Sequence, residues 1–407
     1  MLGVEKGQPH YVRSGRVLVL LLLAFGVFGL WAGCFTVLLA DLSRALDLSP
    51  GPLGVALFAG AGASIAAMAT LGWSSDHFGR KAFLVVVACV FACGIVGIAL
   101  AGSFVALVVA FVVVFPAGGL YDVGINAVAV DLEQFSGRRF MSFLHAAYSG
   151  GAVLGALGAG VLLWTSLGYR LVYLLLLVPL AAVIVAFAAT RLPLSGGVRG
   201  EVPSESVAEG MSREGRWDLY RSSPLLLVAA IAVFGLLAEG EMGHWSGIYL
   251  RDSLGVGALL GGSGVAAFYG AMALGRLATG WAVGRLGNRH TLRWAGLLVA
   301  FGMALALVTT ASSLVILGFL VVGLALAAIV PLAFSTAGDL VPERAASAIS
   351  VVTTFGYGGF LLGPPLVGGL AEMVGLRVAL GLIAVAGLCV FVLSLRLEGK
   401  GEGSLPS

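Results

Sequence analysis

The chain has 407 residues, of which 59% are hydrophobic and only 11% charged, and its mean hydropathy is +1.05. A water-soluble domain carries about 25% charged residues, so the composition excludes a soluble globular protein and points to an integral membrane protein. The net charge of +3 is too slight to suggest a nucleic-acid partner, and none is expected.

Crossing a bilayer takes about 20 apolar residues. Twelve such runs are predicted, at 17–40, 52–73, 82–101, 104–130, 140–164, 170–190, 224–249, 258–283, 292–310, 313–337, 345–371 and 376–396. Most breaks carry turn or charge signals, such as SSDHFGRK and GRLGNRHTLR. Residues 191–223 form a longer, polar break rich in Gly, Ser and Arg, read as a linker with a short interfacial helix near Trp217. It divides the chain into residues 1–190, a first six-helix bundle, and 224–407, a second. Of the 23 Lys and Arg residues, 18 fall on the face that holds both termini and the linker. That bias predicts a cytoplasmic location for all three. The first span is too long for a signal peptide, and no A-x-A site follows it. WAGC, ending at Cys34, departs from a lipoprotein cleavage site because Trp31 stands where Leu is expected. The four cysteines all fall within spans and read as small hydrophobes.

An ionisable group at the centre of a span costs about 2.5–3.5 kcal/mol on insertion scales, so it faces a cavity or a partner. The fourth span ends in GLYDVGINAVAVDLE, residues 119–133. Asp122 lies nine residues from Asp131, which marks the inner end of the span. At 1.5 Å per residue that is roughly 14 Å into the membrane. Asn126 is one turn further inward on the same face, and Pro116 leaves the carbonyl of Val112 without its helical donor. Asp122 is a candidate proton carrier and Asn126 a candidate solute ligand. The alternative is an aspartate locked to an arginine or to backbone. In the fifth span His145 and Tyr148 share a face, as substrate contacts or a relay, or as caps for neighbouring polar groups.

The seventh span carries LLAEGEMGHWSGIYL, residues 236–250. Glu241 and Trp245 share one face, whereas Glu239 lies about 200° away, so one glutamate turns to a neighbouring helix. Glu239 and Glu241 are candidates for proton coupling, and Trp245 for stacking on a solute. Tyr249 is read as part of an interfacial aromatic belt. Glu241 and His244 lack a second pair of ligands, so no metal site is expected. Arg276 in the eighth span needs an anion, and Glu239 is its natural partner, in either a fixed or an alternating pair. Tyr357 in the eleventh span joins the candidate substrate contacts. Pro331, Gly363, Pro364 and Pro365 interrupt apolar runs and mark helices that move or line a cavity.

The chain also repeats itself. GWSSDHFGRKAFL (72–84) matches GWAVGRLGNRHTL (280–292), and GGAVLGALGAG (150–160) matches GGFLLGPPLVG (358–368), both at an offset of 208. Halves with an even number of spans share one orientation, so this is a parallel repeat.

Twelve spans, parallel halves, a long middle loop and G-x-x-x-D-x-x-G-R-K between spans two and three resemble the major facilitator superfamily. Gly72, Asp76, Gly79, Arg80 and Lys81 match its loop motif. The resemblance implies an all-α integral membrane protein with twelve transmembrane helices in two pseudo-symmetric six-helix bundles, and a gating role for those five residues. The second copy departs from the pattern, with Gly284 in place of the acid and Asn288 in place of the first base. D-x-x-x-N in span four, the histidine of FLHAAYSGG, E-x-x-x-x-x-W in span seven and the GR of ALGRL are similar to a bacterial branch near the fucose and glucose permeases, which contains uncharacterised inner-membrane transporters. That narrower resemblance implies a polar, sugar-like solute.

No Ser/His/Asp set, P-loop or metal spacing is present, so neither enzyme activity nor a cofactor is expected. The expected function is secondary active transport of a small molecule by alternating access, with proton symport. The alternative is a proton-coupled antiporter exporting lipophilic compounds. A monomer in the bilayer of the cytoplasmic (inner) membrane is expected. Asp76 sits at a helix end at the membrane edge, where a carboxylate pairs with a base or a helix N-terminus. If it holds the cytoplasmic side closed rather than serving as a solvated turn, Asp76→Asn biases the protein inward-open. A cysteine introduced on the inner half of span four then reacts faster with a maleimide than in the parent. Equal labelling rates argue for the turn.

Overall fold

The computed structural model describes the backbone of residues 8–72, 74–190, 192 and 218–397, with their side chains apart from those of 8–14, 76 and 346. The expected helix near Trp217 lies outside the described residues. Among the described residues the regular elements are helices. They are α1 (Gln8–Ala45), α2 (Pro50–Leu71), α3 (Ser74–His77), α4 (Arg80–Leu100), α5 (Phe104–Ser136), α6 (Met141–Trp164), α7 (Tyr169–Leu175) and α8 (Leu177–Ala189) in the first half. After the linker come α9 (Ser223–Ile248), α10 (Ala258–Val308), α11 (Ser312–Leu340), α12 (Ala345–Val374), α13 (Leu376–Ala379) and α14 (Gly381–Leu395). A π turn at Tyr249–Ser253 extends α9.

Among the described residues eleven helical stretches are long and apolar enough to cross a membrane. One of them, α10, is 51 residues long and passes through Gly287 at φ 74°, ψ 165°. That backbone is not helical, so α10 is two arms, which gives the twelve spans predicted. By contrast α5 continues through Pro116, α11 through Pro331 and α12 through Pro364 and Pro365. The chain forms two compact units, Met1–Val198 with Gly255–Ala266, and Arg199–Leu254 with Ala267–Ser407.

The repeat recurs in the backbone. Gly79, at φ 81°, ψ 139°, precedes α4 as Gly287 precedes the second arm of α10. That region is essentially closed to a residue with a Cβ, which accounts for glycine in both copies. Asp47 and Gly255, again 208 apart, share a positive φ after the first helix of each half. Arg170 at the start of α7 donates to the carbonyl of Ala101 at 3.3 Å. Arg377 in α13 donates to those of Leu307 at 2.6 Å and Thr309 at 3.0 Å. Each arginine answers carbonyls that a helix C-terminus leaves without partners. Two of the cations on the minority face of the charge count are therefore helix caps.

Within the first unit α1 and α6 meet backbone to backbone. A methyl at Gly29 or Gly33 would overlap the carbonyls of Tyr148 or Ala152, and one at Gly151 or Gly155 those of Gly26 or Leu30. Small residues allow this approach, and dispersion and dipole contacts then hold helices that gain nothing from hydrophobic association in lipid. The second unit repeats it between α9 and α12, where Gly359 lies against the carbonyl of Val233. Gly363 departs from the pattern, because a methyl there would overlap the carboxylate of Glu241. Overpacking a tight contact costs about 1–3 kcal/mol. Gly151→Ala is therefore expected to lower the melting temperature of the purified protein in detergent. Gly158→Ala, with no atom within 4 Å of the added methyl, leaves it unchanged. Equal melting temperatures for the two variants would show that the α1–α6 contact is looser than described.

Candidate coupling and solute-binding residues

In the first unit α5 presents Asp122 and Asn126, both half-buried. The amide Nδ2 of Asn126 donates to the backbone carbonyl of Asp122 at 2.9 Å and to its Oδ1 at 3.0 Å. The amide faces this way of necessity, since its oxygen would otherwise meet two acceptors. Both of its hydrogens are consumed within the helix. The pair is left with Asn126 Oδ1 and the Asp122 carboxylate, all acceptors, and gains one donor when Asp122 takes a proton. Among the described residues the polar partner of the Asp122 side chain is the amide four residues away, and no arginine lies within ion-pair distance.

The same unit holds a row of aromatic side chains that the sequence reading missed, and α5 meets it through Tyr121. Phe25, Phe28, Trp31 and Phe35 follow one face of α1 at helical spacing. His145 meets the edge of Phe25 at 5.4 Å between centroids, and Tyr148 meets Phe28 at 5.6 Å. Tyr121, next to Asp122 in sequence, lies 5.6 Å from Phe28 and donates its hydroxyl to the carbonyl of Ala24 at 3.4 Å. Trp31 lies 5.2 Å from both Phe35 and Phe91, and its buried indole Nε1 has no hydrogen-bond partner. Aromatic pairs at these separations add attraction beyond their buried area. The signal was present in the 25, 28, 31, 35 spacing, but in a uniformly apolar span it does not stand out from ordinary packing.

In the second unit the two glutamates have opposite settings. Glu239 and Arg276 are 30% and 33% exposed, and Arg276 Nη2 lies 3.4 Å from Glu239 Oε1. Glu241 is wholly buried. It lies against Gly363 of α12, with His244 Nδ1 at 3.9 Å. That is an ion-pair distance but too long for a hydrogen bond, and neither carboxylate oxygen has a hydrogen-bond partner. The 200° separation read from the sequence is thus realised as one open and one sealed carboxylate. Trp245 is fully buried beside Glu241 rather than on an open face, and its indole Nε1 also lacks a partner. Tyr357 in α12 is 41% exposed. Tyr249 overturns the aromatic-belt reading. It is fully buried and donates its hydroxyl to the carbonyl of Ala306 at 3.1 Å. Among the described residues no group of three His, Cys, Asp or Glu side chains could hold a metal.

The loop motif also gains a partner. Arg80 Nε donates to Asp131 Oδ2 at 3.1 Å, and Nη1 donates to Ser75 Oγ at 2.9 Å. This ties the start of α4 to the far end of α5. The sequence reading used Asp131 only to mark the end of a span. Gly79 supplies the positive φ that starts α4, Gly72 continues the helical backbone past α2, and Lys81 is exposed. The side chain of Asp76 lies outside the described residues.

Residues 20–278 and 246–406 match the family model described as Major Facilitator Superfamily. The chain belongs to the Major Facilitator Superfamily. It is 29% identical over 368 residues to an uncharacterised MFS-type transporter of Yersinia pestis, covering 90% of this chain and 92% of that one. A crystal structure of the nucleoside transporter NupG superposes with a TM-score of 0.76 at 15% identity, covering 94% of this chain and 100% of the other. That of a D-xylose-proton symporter gives 0.74 at 13% identity, with 96% and 99% covered. Likenesses at such identity establish the fold. This superfamily member is therefore a secondary transporter of a small molecule and not an enzyme. Residues in contact couple by about 0.5–3 kcal/mol in a double-mutant cycle. Glu239→Gln and Arg276→Gln are each expected to lower the melting temperature, and the double variant by less than their sum. Strict additivity would mean that the two side chains do not support one another.

Proposed function

We propose that this transporter moves a small polar, sugar-like solute across the cytoplasmic membrane by alternating access, in symport with protons. The observation that carries the reading is the Asp122–Asn126 pair, whose amide donors are spent internally, on the helix whose Tyr121 packs against the aromatic row of α1. A proton on Asp122 neutralises the pair, which lowers the cost of a charge within the membrane. It also turns one oxygen into a donor while Asn126 Oδ1 still accepts. A polyhydroxyl solute offers both donors and acceptors at adjacent carbons, and a ring with C–H faces rests well on aromatic side chains. Proton and solute thus complete one another at this pair, which is the logic of symport. The narrower resemblance to the fucose and glucose permeases supports the same solute class, as does a structural neighbour described as a D-xylose-proton symporter.

In this reading Asn126, His145 and Tyr148 contact the solute in one half, and Trp245 and Tyr357 in the other once α9 and α12 move. Glu239, Glu241 and Arg276 respond to the proton in the second half, the Glu239–Arg276 pair by breaking and reforming. Gly72, Asp76, Gly79, Arg80 and Lys81 form the gate, with Asp131 holding Arg80. Both termini face the cytoplasm, and the monomer is the working unit.

The aromatic row itself favours a second reading, proton-driven export of lipophilic compounds, since flat apolar solutes need only such a surface. Uptake into proteoliposomes under an imposed inward proton gradient separates the two. The symport reading expects accumulation of a labelled monosaccharide above its external concentration, and Asp122→Asn to reduce that accumulation to background while leaving downhill exchange. Full uphill uptake by Asp122→Asn with an unchanged pH profile would remove the proton from this residue. Proton-driven extrusion of a lipophilic cation, with no sugar flux in the parent, would establish the export reading.

A further inference from the structure

The second unit carries a basic cluster that neither the coupling residues nor the gate uses. Arg285 ends the first arm of α10, and Arg289 and Arg293 begin the second, on either side of the turn at Gly287. The second arm packs tightly on α14, where a methyl at Gly296 or Gly387 would come within 2.7 Å of the other residue's carbonyl oxygen. That contact brings Arg289 to the end of α14, and its Nη2 donates to the carbonyl of Leu395 at 2.9 Å. The exposed Arg396 follows at once.

Four arginines thus gather at one end of the unit, and among the described residues none has a carboxylate within ion-pair distance. The first half is different, because there Arg80 is answered by Asp131. In the second half Asn288 stands where Arg80 would be and Arg289 where Lys81 would be. The Nε groups of both Arg289 and Arg293 are buried and have no acceptor. A guanidinium N–H shielded from water and left without an acceptor is costly, and its planar fork matches phosphate oxygens. The surroundings are those of a headgroup region. Trp281 and Trp294 flank the cluster, 63% and 58% exposed. The Arg285 guanidinium lies 4.5 Å over the Trp281 ring. Exposed tryptophans belong at the membrane–water interface, and basic pockets between spans there bind anionic headgroups.

We infer that Arg285, Arg289, Arg293 and Arg396 form a binding site for the phosphate headgroup of an anionic phospholipid, seated between the second arm of α10 and α14. The phosphate takes the free Nε donors, and the tryptophans rest against the acyl and glycerol region. This site is independent of the solute.

The test uses the full chain in a neutral detergent, titrated with phosphatidylglycerol, with phosphatidylcholine of the same acyl chains, and with inorganic phosphate. Phosphatidylglycerol is expected to raise the melting temperature and to appear as a retained adduct by native mass spectrometry, more weakly at high salt. Phosphatidylcholine and inorganic phosphate have no comparable effect. A surface arginine contributes about 1 kcal/mol to such binding, close to fivefold in affinity. Arg289→Gln with Arg293→Gln therefore weakens phosphatidylglycerol binding roughly 30-fold. Arg138→Gln with Arg139→Gln, an equal charge change on the first unit, leaves it unaltered. Equal stabilisation of the parent by the two lipids overturns the inference without any variant. Equal losses from the two double variants reduce it to net charge, and full replacement of lipid by inorganic phosphate shows a free-anion site instead.

Discussion

No group in the hydrocarbon core of a bilayer can turn to water for a missing hydrogen bond. The structure of this transporter follows from that restriction. Its described backbone is helical because a helix closes its own donors and acceptors. Where helices end, the open carbonyls are met by arginines, Arg170 on Ala101 and Arg377 on Leu307 and Thr309. Where a side chain brings a polar group inside, it is answered nearby, as Asp122 is by Asn126 and Arg276 by Glu239. Some buried groups lack a hydrogen-bond partner among the described residues, the indoles of Trp31 and Trp245 among them.

The same restriction removes the hydrophobic drive for helices to associate in lipid, and glycine takes over. Close backbone contact between α1 and α6, and between α9 and α12, depends on residues that lack a Cβ. The two halves use this device at matched positions but not to the same end. Where the first half has Gly33 against α6, the second has Glu241 against Gly363. At equivalent positions one half has a packing contact and the other a carboxylate held against a neighbouring helix. Duplication supplies the scaffold twice, and divergence at a few buried positions gives the halves different chemistry. The loop motif shows this as well, with Arg80 tied to Asp131 in one half and, among the described residues, arginines without acidic partners in the other.

Transport by alternating access asks for contacts that can be exchanged at low cost. A half-exposed pair such as Glu239–Arg276 meets that need better than a sealed one, since solvent or solute can take over either partner as the pair opens. The Asp122–Asn126 pair meets it by another route. Its lock lies within one helix, so the helix can move as a body without breaking it. In the proposed symport, protonation of Asp122 changes what the pair offers a solute without changing where the pair sits.

What the sequence determined by itself is what depends on neighbours along the chain. Span length and number follow from runs of apolar residues, and the duplication from a constant offset of 208. The opposed settings of Glu239 and Glu241 follow from 100° per residue on one helix. The aromatic row of α1 was written in the same periodicity, but an apolar face in an apolar span carries no contrast. The tertiary structure alone decided which helix each face meets. It gave Arg80 to Asp131, 51 residues away, sealed Glu241 against Gly363, and turned Tyr249 from the expected interface into the core. It also placed Arg289 beside the end of α14. These are contacts between segments remote in sequence, and in a membrane every span offers its neighbours much the same apolar surface. Only the fit of small residues against backbone chooses among them, and that fit exists only once the helices are packed.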